Sequence, residues 1–299
     1  MAWTADELYG RNAEFLNGLE QLGEAFVVEI PNDLRVWMRK PKVLKAPSQE
    51  RIATRGRARK YPRLKRGERT PCTVSNLARY SPALRDQTPQ MYHIKESHRG
   101  ADVWEIRWVT CWRQTQDEQI VSNQCTLIVA RNVLTGEVKY FLSNRVPGRD
   151  GWTLRMILRV AFGRWPIEDC FREAKEDLGL DHLECRGWHC IHRHLYLTML
   201  SQLFCARVRQ VHSPSEDVES GELLTTEQVR RAASVVVSAM LLPPAARKQL
   251  YEAEANRQQY YARRNASAAK SHRKTRCEQL AQLGINPDKI KSLTSRNHL

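Results

Sequence analysis

Residues 1–30, MAWTADELYG RNAEFLNGLE QLGEAFVVEI, decide the fold class. Ala2 to Ala5 reads as a short strand that ends at Asp6, and Tyr9-Gly10 follow. Phe15, Leu16, Leu19 and Leu22 then recur at helical spacing, and Gly23 closes that helix. The run AFVVEI, Ala25 to Ile30, is short, apolar and β-branched, as a buried strand is. Strand, helix, strand in 30 residues is an α/β unit. Leu34 to Met38 extends it as a further strand.

Residues 39–90 lack periodicity. They are basic and dotted with Pro41, Pro47, Gly56, Pro62, Gly67 and Pro71, so the chain is expected to run extended and exposed. Alternation resumes at Val103 to Trp112, with Trp104, Ile106, Trp108 and Trp112 on one face. Gln124 to Arg131 and Val138 to Leu142 follow as strands joined by a turn at Leu134-Thr135-Gly136-Glu137. After Gly151 the period becomes helical. Helices are expected at 154–162, at 166–178 and at 191–210, the last apolar enough to be buried. Pro166 opens the second and Gly179 follows its end. Thr225 and Gln228 form a capping box for a helix at 227–242. Pro243-Pro244 break it, 245–264 is helical again, and the last 35 residues read as basic and weakly structured.

The whole chain has 299 residues and a net charge of +15, from 48 Lys+Arg against 33 Asp+Glu. Such a surplus points to a polyanionic partner. It is concentrated in two places. Residues 39–69 hold thirteen Lys/Arg and two acids, and residues 257–276 hold seven Lys/Arg and no acid. Each could run along a phosphate backbone, where released counterions make binding salt-dependent. No apolar stretch is long enough to span a bilayer. The N-terminus lacks the basic and apolar regions of a signal peptide. Eight cysteines without a CxxC pair do not form a secreted disulfide framework. The expectation is a cytoplasmic, nucleic-acid-binding protein with reduced thiols and no membrane partner.

Glu168, Arg172 and Lys175 lie at i, i+4 and i+7 on one helix face, beside an apolar stripe of Ile167, Phe171, Ala174 and Leu178. Two readings stay open on the pattern alone. The three residues form solvated ion pairs, or they present a metal ligand beside phosphate-binding cations.

The stretch RWPIEDCFREAKEDLGLDHLECRGW (164–188), with IHRHLYLTMLSQLF (191–204), resembles the C-terminal core of bacterial insertion-sequence DDE transposases. The branch it is similar to carries a Tyr-x2-Arg-x3-Glu-x6-Lys signature. Arg164, Glu168 and Lys175 fit that spacing, while Ala161 stands at the Tyr position. TADELYGRNAEFLNGL (4–19) resembles the block in which the second catalytic Asp closes a strand, here Asp6. The resemblance covers 1–38 and 100–210.

The resemblance implies an α/β fold: the distal part of an RNase H-like core with an inserted antiparallel β region and a helical C-terminal region. The expected segments are 1–38 (first part of the core), 39–150 (basic linker and β insert), 151–211 (Glu-bearing core helices) and 212–299 (helical, basic). The implied function is DNA cleavage and strand transfer at insertion-sequence ends by two-metal phosphoryl transfer. That chemistry holds two hard cations about 4 Å apart between oxygen ligands, which is why the family needs carboxylates. Asp6 and Glu168 would be catalytic and would hold Mg²⁺ or Mn²⁺. Arg164 and Lys175 would bind DNA phosphates. On the residue pattern, Arg172 is a further phosphate-binding cation, and the stripe Trp104, Trp108 and Trp112 is either core or a surface that stacks on an extruded base, with Trp104 the exception expected to reach DNA. The implied partners are terminal inverted repeats, target DNA and a second copy of the chain in the DNA complex.

The family needs a first Asp on an earlier strand, and five residues precede Asp6. Asp33 and Asp102 have the wrong place in the topology to replace it. The expectation is therefore a truncated, inactive form with a core sheet only two strands wide. The alternative is a non-catalytic DNA-binding fragment that inhibits a full-length transposase. A third reading is a basic RNA-binding protein with a metal site among His182, Cys185, His189, Cys190, His192 and His194, but their spacings are not those of common zinc sites, and packing or phosphate contact is the other role open to them.

Overall fold

The computed structural model describes residues 1–44, 62–97, 99–115, 120–212 and 224–293. It is mixed α/β and divides into two compact units, Met1–Arg164 with His272–Leu299, and Trp165–Ser271.

In the first unit β1 (Ala2–Ala5) lies parallel to β2 (Ala25–Ile30). Between them run the single turn α1 (Glu7–Gly10) and α2 (Ala13–Gln21), whose N-terminus is capped by Asn12. β3 (Arg35–Trp37) follows, then β4 (Val43–Leu44) and β5 (Arg63–Leu64), which pair as a small antiparallel sheet. Next come β6 (Cys72–Thr73), α3 (Val74–Tyr80), α4 (Pro82–Arg85), β7 (Gln90–Ser97), β8 (Gly100–Gln114), β9 (Val121–Asn132), β10 (Val138–Ser143) and α5 (Leu154–Ala161). Near the C-terminus β11 (Lys291–Ser292) adds to β7.

Among the described residues these strands make a nine-stranded main sheet in the order β1-β2-β10-β9-β8-β3-β6, with β7 pairing β8 and β11. The two-stranded core expected above is corrected here. β10 pairs antiparallel with β2, with Phe141 opposite Glu29, so β1 is followed by a continuous sheet. β8 is long enough to take two neighbours on one side. β7 pairs along its first half and β3 meets Trp112 and Arg113 near its end. The β9–β10 turn falls where the sequence places it. The Asn132 side chain accepts from the N–H of Leu134 and Thr135, and Gly136 takes φ +72°.

Strand alternation sorts the core onto two faces. Phe26, Val28, Ile30, Cys111, Cys125, Leu127 and Leu142 pack with Leu16 and Leu19 of α2, Val74 of α3 and Leu84 of α4. On the other face Phe162, which caps α5, packs its ring 5.3 Å from Trp104 and 5.2 Å from Phe141. Buried Arg113 answers to Asn17 and Glu20 of α2.

The second unit is helical in its described residues: α6 (Trp165–Glu176), α7 (Trp188–Val211), α8 (Thr226–Ala239) and the greater part of α9 (Pro244–Gln282). The capping box of Thr225 and Gln228 is present at the start of α8. Arg209 of α7 donates to Glu173 of α6 and Thr226 of α8 at 3.1 Å each.

Three expectations change. Residues 39–90 are not featureless, because β6 pairs with β3 and α3 is capped by Thr73. The tail is not weakly structured up to Gln282. α9 has no Gly or Pro after Pro244, and Ala, Arg, Lys, Gln and Glu favour a helix without apolar periodicity. Gly284 ends it at φ +70°, and Leu280 is buried with Ala101 and Val103. α7 is a helix but not a buried one, since Leu200 is 61% exposed and Phe204 52%.

Candidate functional site

The C-terminal end of β1 is the best-defined part of the site. Asp6 is still extended, at φ −80° and ψ −178°, and its Oδ1 accepts from the N–H of Leu8 at 3.1 Å and Tyr9 at 3.3 Å. The first turn of α1 thus orients the carboxylate, with unsatisfied N–H groups meeting an anion. Gly10 is required at the end of that turn. A Cβ there would lie 1.9 Å from the Glu29 carbonyl oxygen.

The register Ala5↔Val28 places Asp6 beside Glu29. Ala5 and Val28 face the α2 side of the sheet, so alternation puts Asp6 and Glu29 on the opposite face. Two cations meet Glu29 there. Arg164 Nη2 donates to Oε2 at 3.3 Å, and Lys139 Nζ lies 3.2 Å from Oε1. Their side chains are 22% and 17% exposed and that of Glu29 is 19% exposed. Lys139 also approaches Glu137 at 3.7 Å. The sequence reading missed Glu29 and Lys139. The one available signal was Glu29 itself, the single charge in the apolar strand AFVVEI.

Glu168, Arg172 and Lys175 lie on α6, so Asp6 and Glu168 belong to different units. All three α6 residues are exposed. Arg172 donates to Asp169 and Glu176 at 3.2 Å each, and these bonds raise its pKa further. The expected apolar stripe of α6 is only partly covered. Ala174 is buried, while Ile167 and Phe171 are more than half exposed. Trp104 is corrected as a DNA contact. It is 1% exposed and packed on Phe162, so its ring offers no face to a base. Trp108 does reach the surface of the first unit. It lines a cleft of about 550 Å³ with Tyr92, Thr153, Arg155 and Lys291, a combination of aromatic rings and cations.

Asp102 and Asp33 have other work. Asp102 is buried, accepting from Asn132 at 2.8 Å and facing Arg276 at 3.4 Å. Asp33 pairs with Arg11 on the surface. In the His/Cys group, His194 Nε2 lies 3.0 Å from the Gly179 carbonyl and the His192 ring lies 4.0 Å from Trp188. Among the described residues no three His, Cys, Asp or Glu gather as metal ligands. Asp6 and Glu168 are oxygen donors of the kind a hard divalent cation takes. The capping bonds of Asp6 both end on Oδ1.

Of the basic segments, 45–61 lies outside the described residues, so the expected contact of 39–69 with DNA falls largely there. The second segment lies on α9, where Arg257, Arg263, Arg264, Lys270, Arg273 and Lys274 are exposed.

Residues 2–100 match the DDE superfamily endonucleases. The match spans about a third of the chain and includes Asp6, Gly10 and Glu29. No curated protein matches the chain. The match supports a DDE-type transposase or endonuclease, with nuclease-type activity and DNA as the substrate such a domain implies. Among the described residues no helix is long and apolar enough to cross a membrane.

Proposed function

We propose that this protein is a DDE transposase that cleaves DNA and transfers strands at insertion-sequence ends. The observation that carries this is Asp6: a carboxylate at the end of a parallel strand, held by the turn that follows, inside the segment similar to DDE endonucleases. The resemblance of 164–204 adds Glu168 as its partner carboxylate.

In this reading Asp6 and Glu168 hold Mg²⁺ or Mn²⁺, which when bound activates the attacking oxygen and stabilises the leaving one. Asp6 contributes a carboxylate whose direction α1 has already set, so little reorganisation is needed. Arg164 holds a phosphate of the cleaved strand near the Asp6 strand end. Arg172 and Lys175 hold phosphates along α6, and the cations of α9 extend the contact with the duplex. Terminal inverted repeats and target DNA are the partners, bound by a dimer.

The test is nicking of terminal-repeat DNA by the purified chain in Mg²⁺ or Mn²⁺. Nicking that is lost in Asp6→Asn and in Glu168→Gln while DNA binding survives would support the cleaving enzyme over the inactive form expected from the sequence. Undiminished nicking by Glu168→Gln would show that the wrong carboxylate has been chosen. A second reading, a DNA binder that competes for ends without cutting them, draws on one observation. No three ligating side chains gather among the described residues. Tight DNA binding with no nicking in either metal would favour it.

A further inference from the structure

We propose that Cys185 and Cys190 form a redox-active dithiol site on the second unit, which a small-molecule disulfide oxidises to an intramolecular disulfide. Neither DNA nor a metal takes part, so the proposal stands apart from the transposase reading.

The two residues lie on either side of the entry to α7. Cys185 stands in the connection from α6, and Cys190 is the third residue of α7. Side chains of a helix lean towards its N-terminus, so that of Cys190 leans back along the chain. It reaches Gly187, where an added Cβ would meet the Cys190 Sγ at 3.8 Å. From there the Cys190 thiol meets that of Cys185 as a hydrogen-bond partner. Both thiols are free and exposed, in contrast to the facing pair Cys111 and Cys125, which is buried. An adjoining and accessible pair suits reversible two-electron chemistry. Among the described residues no third ligating side chain joins them, as a structural zinc site would require. His194 Nε2 lies 3.0 Å from the Gly179 carbonyl and 3.3 Å from that of Leu180, which holds the start of the connection to α7. A Cys185–Cys190 bond would hold its end to the same helix.

The two thiols have different parts. Partial loss of hydration and the bond to Cys190 raise the Cys185 pKa, so Cys185 keeps its proton and Cys190 attacks first. Gly187 caps α7 without a side-chain acceptor for the free N–H groups of the first turn, and that end of a helix favours the negative charge of an attacking sulfur. Cys190 gives its proton to solvent and its sulfur attacks one sulfur of the oxidant. A bond forms between them, the S–S bond of the oxidant breaks, and one thiolate leaves. The Cys185 sulfur, its proton passing to solvent, then attacks the Cys190 sulfur. The Cys185–Cys190 bond forms as the second thiolate leaves. Each released thiolate takes up a proton. Two protein thiols are thus oxidised, and one disulfide is reduced to two small thiols.

The experiment treats the reduced full chain with oxidised glutathione in the presence of a chelator. Wild type, Cys185→Ser and Cys190→Ser are then alkylated and digested with trypsin, and the peptides are identified by mass. Thermal unfolding of each protein checks that it folds. Arg186 lies between the two cysteines, so the disulfide appears as peptides 176–186 and 187–193 joined to one another. The exposed Cys170 and Cys277 serve as reference thiols. Wild type should give the joined peptides, and dithiothreitol should part them. Adjoining thiols have an effective concentration of about millimolar or more, so Cys185 should clear the glutathione adduct from Cys190. That adduct should therefore be about tenfold or more higher in Cys185→Ser than in wild type. Cys190→Ser should leave Cys185 no more modified than Cys170. Wild type whose two peptides stay unjoined, or equal adduct at Cys190 in wild type and Cys185→Ser, would overturn the site. Faster modification of Cys185 in Cys190→Ser than of Cys190 in Cys185→Ser would overturn the assigned roles.

Discussion

Two apolar helices, α5 and α7, have opposite fates. α5 buries Ile157, Leu158 and Ala161, with Phe162 beyond them, against the sheet of the first unit. α7 is three times as long, yet in it Thr198 and Cys205 are the buried residues. Its Leu197, Met199, Leu200, Leu203 and Phe204 are all more than half exposed. The difference lies in how the apolar residues are spread. Those of α5 fall on one stripe that a single sheet face can cover. Those of α7 run around much of the helix, so no one flat neighbour could cover them all. Apolar content thus identifies a helix but does not say what lies against it.

The largest expected effect divides the two units by chemistry. Asp6→Asn in the first unit and Glu168→Gln in the second should each lower cleavage by about a hundredfold to a thousandfold, as when a group acting directly on transition-state charge is removed. A nicking assay checks this. Loss in Asp6→Asn alone would place the chemistry in the first unit.

Binding should follow charge rather than burial. Affinity for duplex DNA should fall about a thousandfold or more between roughly 50 and 200 mM salt if six or more phosphates are contacted. Replacing the Lys and Arg of 39–69 should flatten that slope more than replacing Arg257, Arg263, Arg264 and Lys270 of α9. The reverse ranking would move the main DNA surface to α9.

Stability sharpens the contrast between α5 and α7. Phe162→Ala removes a ring packed on Trp104 and Phe141 and should cost about 3–5 kcal/mol in denaturant unfolding. Phe204→Ala, at an exposed site, should cost about 0.5 kcal/mol or less. It should also reduce binding of an apolar dye, whereas Phe162→Ala should increase it. Equal costs would mean that α7 is covered in solution.

The smallest effect concerns thiols. Cys111 and Cys125 face each other across β8 and β9, fully buried, and burial pushes the Cys125 thiol up to about 12. Both should resist a thiol reagent until the first unit unfolds, while Cys170, Cys185 and Cys190 of the second unit react at once. In the unfolded chain the Cys125 thiol titrates near 9, so its contribution to stability is full below that pH. It declines as pH rises from about 9 towards 12. An alkaline unfolding titration of Cys125→Ser against wild type measures that loss.

Much of the framework was legible because its causes are local. AFVVEI as a strand, the turn at 134–137, the cap at Thr225 and Gln228, and Asp6 at a strand end all depend on contacts within a few residues. β6, α3 and the last turns of α9 were not legible. β6 exists because β3 pairs with it, α3 starts from the cap at its end, and α9 follows propensity rather than periodicity.

Composition and pattern by themselves determined that the chain is α/β, strongly basic, and carries Asp6 and Glu168 on rigid elements. Tertiary structure alone decided that β10 adjoins β2, that Trp104 lies under Phe162, and that Glu29, Lys139 and Arg164 meet. The reason is distance along the chain. Helical and turn signals act over three or four residues, whereas sheet register and burial join residues more than a hundred positions apart, and no local pattern encodes which strand will be the neighbour.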